Sequence, residues 1–279
     1  MRLVRTPDEA RAALAGVERP VGLVATMGAL HDGHRSLVRR ARAENASVVA
    51  SIFVNPLQFG PNEDFDRYPR AFESDLAALG DEGVDLVYAP DVAAMYPPGF
   101  ATSVEPGPPA ARYEGALRPG HFTGVATVCV KLFATIAPER AYFGAKDAQQ
   151  VAVLRRVVAD LNLPVELVVV PTVREPDGLA LSSRNVYLTP AERAAAPALH
   201  RALAAVAAAV RAGETDRERA VEAGRDELID PPMREAYLDV VDPERFEPPA
   251  ELRAPAIAIG SVWLGSTRLI DNVPIEAGP

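Results

Sequence analysis

The chain contains a single cysteine, Cys129, so it cannot form an intrachain disulfide. One thiol among 279 residues fits a reducing compartment, and its apolar neighbours favour a buried, inert side chain over a nucleophile. No window approaches the roughly eighteen consecutive apolar residues that a helix needs to cross a bilayer, and the amino terminus lacks the apolar core of a secretion signal. We therefore expect a soluble, cytoplasmic protein with no membrane partner.

Basic residues are fewer than acidic ones, 29 against 38, which gives a formal net charge of −9. Because nucleic-acid backbones are bound mainly through lysine and arginine, this balance argues against a broad nucleic-acid surface. We expect no nucleic-acid partner, and any phosphate group must be bound by a few local cations.

The pattern of apolar segments predicts an α/β fold. Residues 21–25 and 47–54 are typical of buried strands, and residues 35–41 between them carry apolar side chains at helical spacing. A strand, a helix and a strand of this length form a parallel βαβ unit. A chain of 279 residues is long enough for two domains, and with 48% hydrophobic residues it can bury a sizeable core.

Further elements follow from caps and prolines. Thr6 and Glu9 form a capping box for a helix that should run to Gly16. Residues 96–109 hold too many prolines for long helices and are expected to contain short strands and loops. Strands are also predicted at residues 84–89 and 165–171, and helices at residues 72–79, 125–136 and 148–161.

The composition changes near Thr172. Capping boxes at residues 189–192 and 215–218 open helices, and a hairpin at residues 256–275 follows a strand. His200 falls inside an alanine-rich helix and is interpreted as structural. We predict a Rossmann-like parallel-sheet domain over residues 1–172 and a smaller α+β domain over residues 173–279.

Two of the four histidines lie in one turn, His31-Asp32-Gly33-His34, between the first buried strand and its helix. Free N–H groups and the positive dipole end of a helix start favour an anion there, and imidazoles can donate to phosphate oxygens. The turn therefore indicates a nucleotide phosphate site, although a solvated turn with two unremarkable histidines explains the same residues.

The loop after the second predicted strand begins with Asn55 and Gln58. Ligands of open parallel sheets bind beyond the carboxyl ends of strands, where the histidine turn also points. These amides can bind a small polar substrate, and the alternative is an ordinary turn-rich connection. Arg118 and His121, at a later helix entrance, suit either an anion or a capping turn at the surface.

A second cluster, at residues 141–150, repeats the arrangement of strand, turn and helix. Gly144 allows close approach, Lys146 places a charge at the carboxyl edge of the strand, and Asp147 and Gln150 share a helix face. A lone Lys–Asp pair at a helix start is commonly only surface charge. Its position at the same sheet edge favours a role in the site.

Ser182, Ser183 and Arg184 follow the strand predicted at residues 165–171. Two hydroxyls and a planar guanidinium form a compact phosphate-binding set, although Ser-Ser-Arg also occurs harmlessly in many loops.

The spacing His31-x-Gly33-His34 after a buried strand resembles the signature of the nucleotidylyltransferase superfamily, to which class I aminoacyl-tRNA synthetases also belong. Several motifs, in the right order over nearly the full length, resemble the pantothenate synthetase (pantoate–β-alanine ligase) family. These motifs are residues 26–34, 53–59, 68–70, 118–122, 143–150, 173–180, 182–185 and 264–272.

The resemblance implies a two-step reaction. ATP and (R)-pantoate form a pantoyl adenylate and pyrophosphate, and β-alanine then attacks the mixed anhydride to give pantothenate and AMP. Mg²⁺ accompanies the ATP and is held mainly by its phosphates. The resemblance also implies that residues 1–172 bind ATP and pantoate and that the protein is a homodimer.

The resemblance further implies roles for individual residues. Charge on the transferring α-phosphate and the leaving pyrophosphate would be stabilised by a catalytic set of His31, His34, Lys146, Ser182, Ser183 and Arg184. ATP binding would add Met27, Gly144, Asp147, Val173 and Leu181. Pantoate and β-alanine would be bound by Met27, Asn55, Gln58, Phe59, Tyr68 and Gln150. Such a site works by positioning and electrostatics, without a covalent enzyme intermediate.

Three positions depart from the usual family pattern. Ala145 and Ala148 stand where the family often has Glu and Tyr, and Leu181 stands where Met is usual. Leucine supplies similar apolar contact, whereas the alanines remove polar groups beside the predicted site, where Lys146, Asp147 and Gln150 remain.

Two other functions remain open at this point. One is a nucleotidylyltransferase acting on a phosphate-bearing substrate, and the other is an inactive nucleotide-binding module, which the intact histidine and lysine clusters disfavour. An NAD-dependent oxidoreductase fits less well, since no Gly-x-Gly-x-x-Gly follows the first strand.

Overall fold

Six parallel strands form the larger sheet of the protein, whose computed structural model describes residues 1–61, 63–228 and 233–276. The strands are β1 (Arg2–Val4), β2 (Val21–Thr26), β3 (Ser47–Ile52), β4 (Leu86–Tyr88), β5 (Arg140–Gly144) and β6 (Glu166–Val170). They lie in the order β1-β4-β3-β2-β5-β6, and paired neighbours run parallel. The winding direction therefore reverses between β2 and β5, the position at which open α/β sheets bind ligands.

The helices that lie between these strands along the chain are α1 (Pro7–Leu14), α2 (Asp32–Glu44), α3 (Phe72–Asp81), α4 (Val92–Met95), α5 (Glu114–Leu117), α6 (His121–Ile136) and α7 (Ala148–Asp160). Leu37 and Val38 of α2 and Leu79 of α3 pack in one core with the strand residues Val24 and Val87. The strands can be almost continuously apolar because both faces of a parallel sheet are covered. No helix in the described residues is long and apolar enough to span a bilayer.

The smaller sheet is antiparallel and contains β7 (Met233–Val241), β8 (Ala256–Leu264) and β9 (Thr267–Ile275), in that order. The two-residue turn between β8 and β9 has Gly265 at a φ of +56°, a left-handed conformation that glycine adopts readily. The accompanying helices are α8 (Pro190–Ala195), α9 (Ala198–Arg211) and α10 (Arg217–Arg225). Leu203 and Val206 of α9 share a core with Ala258 and Val262 of β8.

The chain separates into two compact units. The first comprises Met1–Ala145 and Val153–Pro171, and the second comprises Lys146–Ala152 and the chain from Thr172 onward. The predicted fold class, a Rossmann-like parallel sheet followed by a smaller α+β part, is confirmed. Cys129 is buried in α6, as expected, and burial raises the pKa of its thiol to about 12.

Three local predictions were wrong. Residues 96–109, all within the described part of the chain, contain no strand, because proline cannot donate to a sheet. Helix α6 begins at His121, four residues before the predicted start, since Gly120 at a φ of +82° redirects the chain there. Helix α10 is capped by Asp216 rather than Thr215, because the Asp216 carboxylate accepts two N–H groups of the first turn.

Candidate active site

The turn after β2 begins with a hydroxyl that joins two strands. Thr26 Oγ1 donates to the Ser51 carbonyl of β3 at 2.7 Å and accepts from the Gly28 N–H at 3.2 Å. Gly28 and Ala29 then adopt positive φ values of +83° and +50°. The chain therefore turns sharply at the carboxyl end of β2, where the winding of the sheet reverses.

A buried carboxylate that the sequence analysis missed fixes this turn. Asp75 of α3, 3% exposed, accepts the Ala29 N–H at 2.9 Å and the Leu30 N–H at 2.8 Å. A Cβ on Gly28 would lie 2.9 Å from Asp75 Oδ2, so the carboxylate also requires glycine there. Asp75 thus satisfies two N–H groups that the turn leaves without helix partners.

A sequence signal for Asp75 does exist. It lies three residues after Phe72 and four before Leu79, on the apolar stripe of an amphipathic helix. A carboxylate in such a position is unusual unless it has buried partners.

The two histidines of the turn cap α2 reciprocally. The Gly33 N–H donates to His31 Nδ1 at 3.1 Å, the His31 N–H donates to His34 Nδ1 at 3.3 Å, and the ring centroids lie 4.1 Å apart. A neutral imidazole whose Nδ1 accepts carries its proton on Nε2. Both rings can therefore offer an Nε2–H donor at the positive end of the α2 dipole, an arrangement suited to an anion. The helix-start N–H groups that the sequence predicted to be free are instead capped, that of Gly33 by His31 Nδ1 and those of His34 and Arg35 by the His31 carbonyl.

The amide pair predicted to bind substrate is placed by Asn55, which is 1% exposed. Its Nδ2 donates to Gln58 Oε1 at 3.0 Å and to the Gly124 carbonyl at 3.1 Å, and its Oδ1 accepts from the Tyr96 hydroxyl at 2.8 Å and the Leu57 N–H at 3.2 Å. Because these atoms serve protein partners, Asn55 holds Gln58 in place. A direct substrate contact by Asn55 stays a prediction.

The structure brings several members of the predicted pantoate set together. Gln58 Nε2 donates to Met27 Sδ at 3.1 Å. The Phe59 ring packs edge-on against Tyr68, with centroids 5.9 Å apart, and against Phe65 at 5.3 Å. An amide thus lies beside thioether and aromatic side chains, a combination that fits a small acid with hydroxyl and methyl groups.

Arg118 and His121 have protein partners that the sequence analysis did not identify. Arg118 binds both carboxylate oxygens of Glu63, at 2.7 and 2.6 Å. His121 Nδ1 lies 2.8 Å from the Gln58 carbonyl, and its Nε2 lies 3.0 Å from Arg118 NH1. The pair therefore supports the backbone of Gln58 instead of forming either an exposed turn or an open cationic site.

The charges in this network are set by burial and by Arg118. Desolvation raises the pKa of Glu63, but the hydrogen bonds and charge of Arg118 outweigh it and leave that pKa below its ordinary value. Burial and then the Arg118 charge lower the pKa of His121 to about 4. His121 is therefore uncharged near neutral pH and can donate from Nδ1 while it accepts from Arg118.

In the second unit, Lys146 follows the end of β5 by two residues. Its Nζ lies 3.7 Å from Asp147 Oδ1, and its side chain is 19% exposed. Gln150 is half-buried on the first turn of α7. A Cβ on Gly144 would meet no described atom within 4 Å, so the space beside this glycine is open.

A small hairpin positions the two serines and the arginine. The Leu181 N–H donates to the Val173 carbonyl at 3.0 Å, and Arg174 forms an isolated antiparallel bridge with Ala180. Ser182 then caps a short 3-10 helix, Ser183–Tyr187, with its Oγ accepting from the Arg184 N–H at 3.3 Å. The predicted residues 181–184 thus begin immediately where the hairpin closes.

Arg174 ties this hairpin to β9. It donates to both carboxylate oxygens of Asp271, at 2.6 and 3.0 Å, and to the Gly178 and Asn272 carbonyls. Desolvation raises the pKa of Asp271, but His200, 3.6 Å away, and Arg174 outweigh it, so that pKa lies below its ordinary value. Asp271 therefore remains ionised inside the second unit.

Known proteins resemble this chain over its whole length. A family model described as pantoate-beta-alanine ligase matches residues 2–274. A pantothenate synthetase of Roseiflexus sp. (strain RS-1) is 57% identical over 279 residues, which cover 99% of this chain and 100% of the relative.

Two solved structures are similar as well. The crystal structure of a pantothenate synthetase from Thermus thermophilus is 54% identical with a TM-score of 0.94, covering 99% of this chain and 100% of that one. A pantoate-beta-alanine ligase from Francisella tularensis, solved in complex with beta-gamma ATP and beta-alanine, is 32% identical with a TM-score of 0.81, covering 100% and 99% of the two chains.

Proposed function

Because this chain belongs to the pantoate–β-alanine ligase family, we propose that it condenses (R)-pantoate with β-alanine at the expense of ATP, giving pantothenate, AMP and pyrophosphate. The family resemblance predicted from the motifs is thereby confirmed. The observation that carries the proposal is the capped histidine pair, His31 and His34, at the point where the winding of the sheet reverses.

The first step transfers an adenylyl group. A carboxylate oxygen of pantoate bonds to the α-phosphorus of ATP, and the bond from that phosphorus to the bridging oxygen breaks, so pyrophosphate leaves with the electron pair. Donors that meet the developing charge lower the barrier, by about 10²–10³ in rate for each well-placed donor. We assign this role to His31, His34, Lys146, Ser182, Ser183 and Arg184.

The second step forms the amide. The uncharged amine of β-alanine attacks the acyl carbon of pantoyl adenylate and forms the C–N bond, AMP leaves with the electron pair of the broken acyl–oxygen bond, and the nitrogen loses one proton to solvent. Gln58, with Met27 and Phe59 beside it, and Gln150 are assigned to pantoate, and Tyr68 to the same set. Gly144, Asp147 and Val173 are assigned to the adenosine of ATP, and Met27 and Leu181 to ATP binding without a more specific role.

Mg²⁺ is proposed to enter with ATP. Among the described residues, no group of three His, Cys, Asp or Glu side chains could hold a metal ion, and this ion is commonly held by phosphates, water and at most one or two carboxylates. We therefore propose that the phosphates of ATP hold most of the Mg²⁺ coordination.

The remaining parts of the proposal concern organisation. We propose that residues 1–172 carry most of the ATP and pantoate contacts and that residues 173–279 carry the Ser182–Asn185 loop. We also propose a cytoplasmic homodimer that acts on small molecules and not on nucleic acids or membranes.

Exchange of labelled pyrophosphate into ATP tests the adenylate mechanism. We expect exchange that requires pantoate but not β-alanine, and pantothenate formation once β-alanine is added. Lys146→Ala should lower the exchange rate at least 100-fold, because it removes a cation from the leaving pyrophosphate.

The other lysine of the chain provides the matched control. Lys131 lies 4.9 Å from the centroid of the Phe100 ring, and Lys131→Ala should retain exchange within about threefold, a shift of well under 1 kcal/mol. Folded protein without pantoate-stimulated exchange would refute the adenylate mechanism, and near-normal exchange in Lys146→Ala would remove Lys146 from it.

A further inference from the structure

Asn272 of β9 reaches the backbone of Lys146 across a long interval of sequence. Its Nδ2 donates to the Lys146 carbonyl at 2.8 Å, and the two residues are 126 positions apart. Asn272 is buried and Lys146 is half-buried, so loss of this donor would remove a hydrogen bond that solvent replaces only in part.

The preceding residue of the same strand, Asp271, holds the hairpin that carries Arg174. Asp271 binds the Arg174 guanidinium with both oxygens, and its Oδ1 also accepts the Asn272 N–H at 2.8 Å. Because successive side chains of a strand point to opposite faces, the two neighbours can hold two different segments. Asp271 and Asn272 are also held by strand pairing, since they lie opposite Gly260 and Ile259 of β8.

We propose that Asn272 is a positioning residue for adenylyl transfer, acting by fixing the main chain of Lys146 so that its ammonium meets the charge on the phosphates. Asp271 and Arg174 support the same strand from the hairpin side. The inference rests on the proposed function, since it assigns Asn272 to the step in which Lys146 acts.

The Lys146 backbone needs to be fixed because the lysine side chain is long and flexible. Its four-carbon stem has many rotamers and carries a point charge without the planar fork of arginine. A misplacement of about 1 Å at a reacting centre can cost about 100-fold in rate. Fixing the Lys146 backbone removes one source of that misplacement. Lys131 is the only other lysine in the sequence.

Kinetics of pantoate-dependent pyrophosphate exchange provide the first test. We expect Asn272→Asp and Asn272→Ala to lower kcat about 10- to 100-fold while KM for ATP and pantoate changes less than about threefold. Asn162→Asp, at an exposed position, adds the same charge and should leave both parameters unchanged. Equal kcat in the Asn272 variants and the parent would overturn the proposal.

A double-mutant cycle tests the route of action. If Asn272 works through Lys146, then adding Asn272→Ala to Lys146→Ala should change the residual rate less than about twofold. Effects that multiply in full would show that Asn272 acts elsewhere, and a loss confined to melting temperature would show a structural role alone.

A readout independent of activity separates failure of this inference from failure of the proposed function. Reductive ¹³C-methylation labels the two lysines and the terminal amine, and Lys131→Arg identifies the Lys146 signal. The Lys146 signal should shift in both Asn272 variants but not in Asn162→Asp, whether or not the parent exchanges pyrophosphate. An unchanged Lys146 signal would refute the anchoring even in an active enzyme.

Discussion

His121 shows how a single residue is held uncharged to serve a neighbouring backbone. It lies 9% exposed in the first turn of α6, and burial and the Arg118 charge lower its pKa to about 4. In the unfolded chain an ordinary histidine titrates near pH 6.5. Folding therefore excludes a proton at this site over the interval between those two values.

The sign of the pH effect follows directly. Below about pH 6.5 the unfolded chain binds a proton that the folded chain does not, so stability falls as pH falls and levels off near pH 4. Between pH 8 and pH 5 this group should cost about 2 kcal/mol of unfolding free energy. In His121→Asn, which keeps a donor toward the Gln58 carbonyl, the unfolding free energy measured with urea should fall by about 2 kcal/mol less between pH 8 and pH 5 than in the parent.

The parent protein measured alongside supplies the control for this prediction. Carboxylates distant from His121 contribute to the pH dependence of both proteins alike, whereas Glu63 and Glu114 interact with it. The difference between the two slopes therefore reports His121 together with its coupling to these two carboxylates. If the unfolding free energy of both proteins had the same pH dependence, His121 would not be a buried neutral histidine.

At the scale of elements, close approach of α6 to the short 3-10 helix Pro56–Gln58 positions the predicted substrate amide. A Cβ on Gly124 would lie 2.3 Å from the Leu57 carbonyl oxygen and 2.7 Å from the Gln58 nitrogen. The Gly124 carbonyl also accepts from Asn55. Glycine is required at this point because backbone, rather than a movable side chain, occupies the space.

Gly124→Ala should therefore damage both stability and substrate binding. Overpacking of this kind costs about 1–3 kcal/mol, which thermal unfolding will show as a lower melting temperature, and KM for pantoate should rise because Gln58 is displaced. Gly16→Ala is the matched control, since a Cβ there meets nothing within 4 Å. A Gly124→Ala protein with the parent melting temperature and KM would show that the two elements can separate at no cost.

For the whole molecule, the proposed homodimer is the property that contacts within one chain do not determine. It is expected from the family resemblance, and sedimentation velocity at assay concentrations should give about twice the chain mass of 29.7 kDa. Because association depends on concentration, the measurement should be repeated over a dilution series. A mass of one chain throughout the range of full activity would refute the dimer as the active form.

The sequence by itself determined the features that depend on near neighbours. The parallel βαβ start, the histidine turn, the Ser182–Arg184 set and the β8–β9 hairpin all follow from periodicity, caps and turn residues, which act over a few positions. The family motifs then assigned a reaction to them. The domain boundary near Thr172 and the individual site roles stay predictions.

Only the tertiary structure identified what holds these segments in place. Asp75 accepts from Ala29, just before the histidine turn, over 46 positions; Asp271 binds Arg174 over 97, and Asn272 binds Lys146 over 126. The physical reason is that a buried carboxylate or amide is tolerated when it finds partners, and those partners are chosen by the packing of distant segments, which local periodicity does not encode.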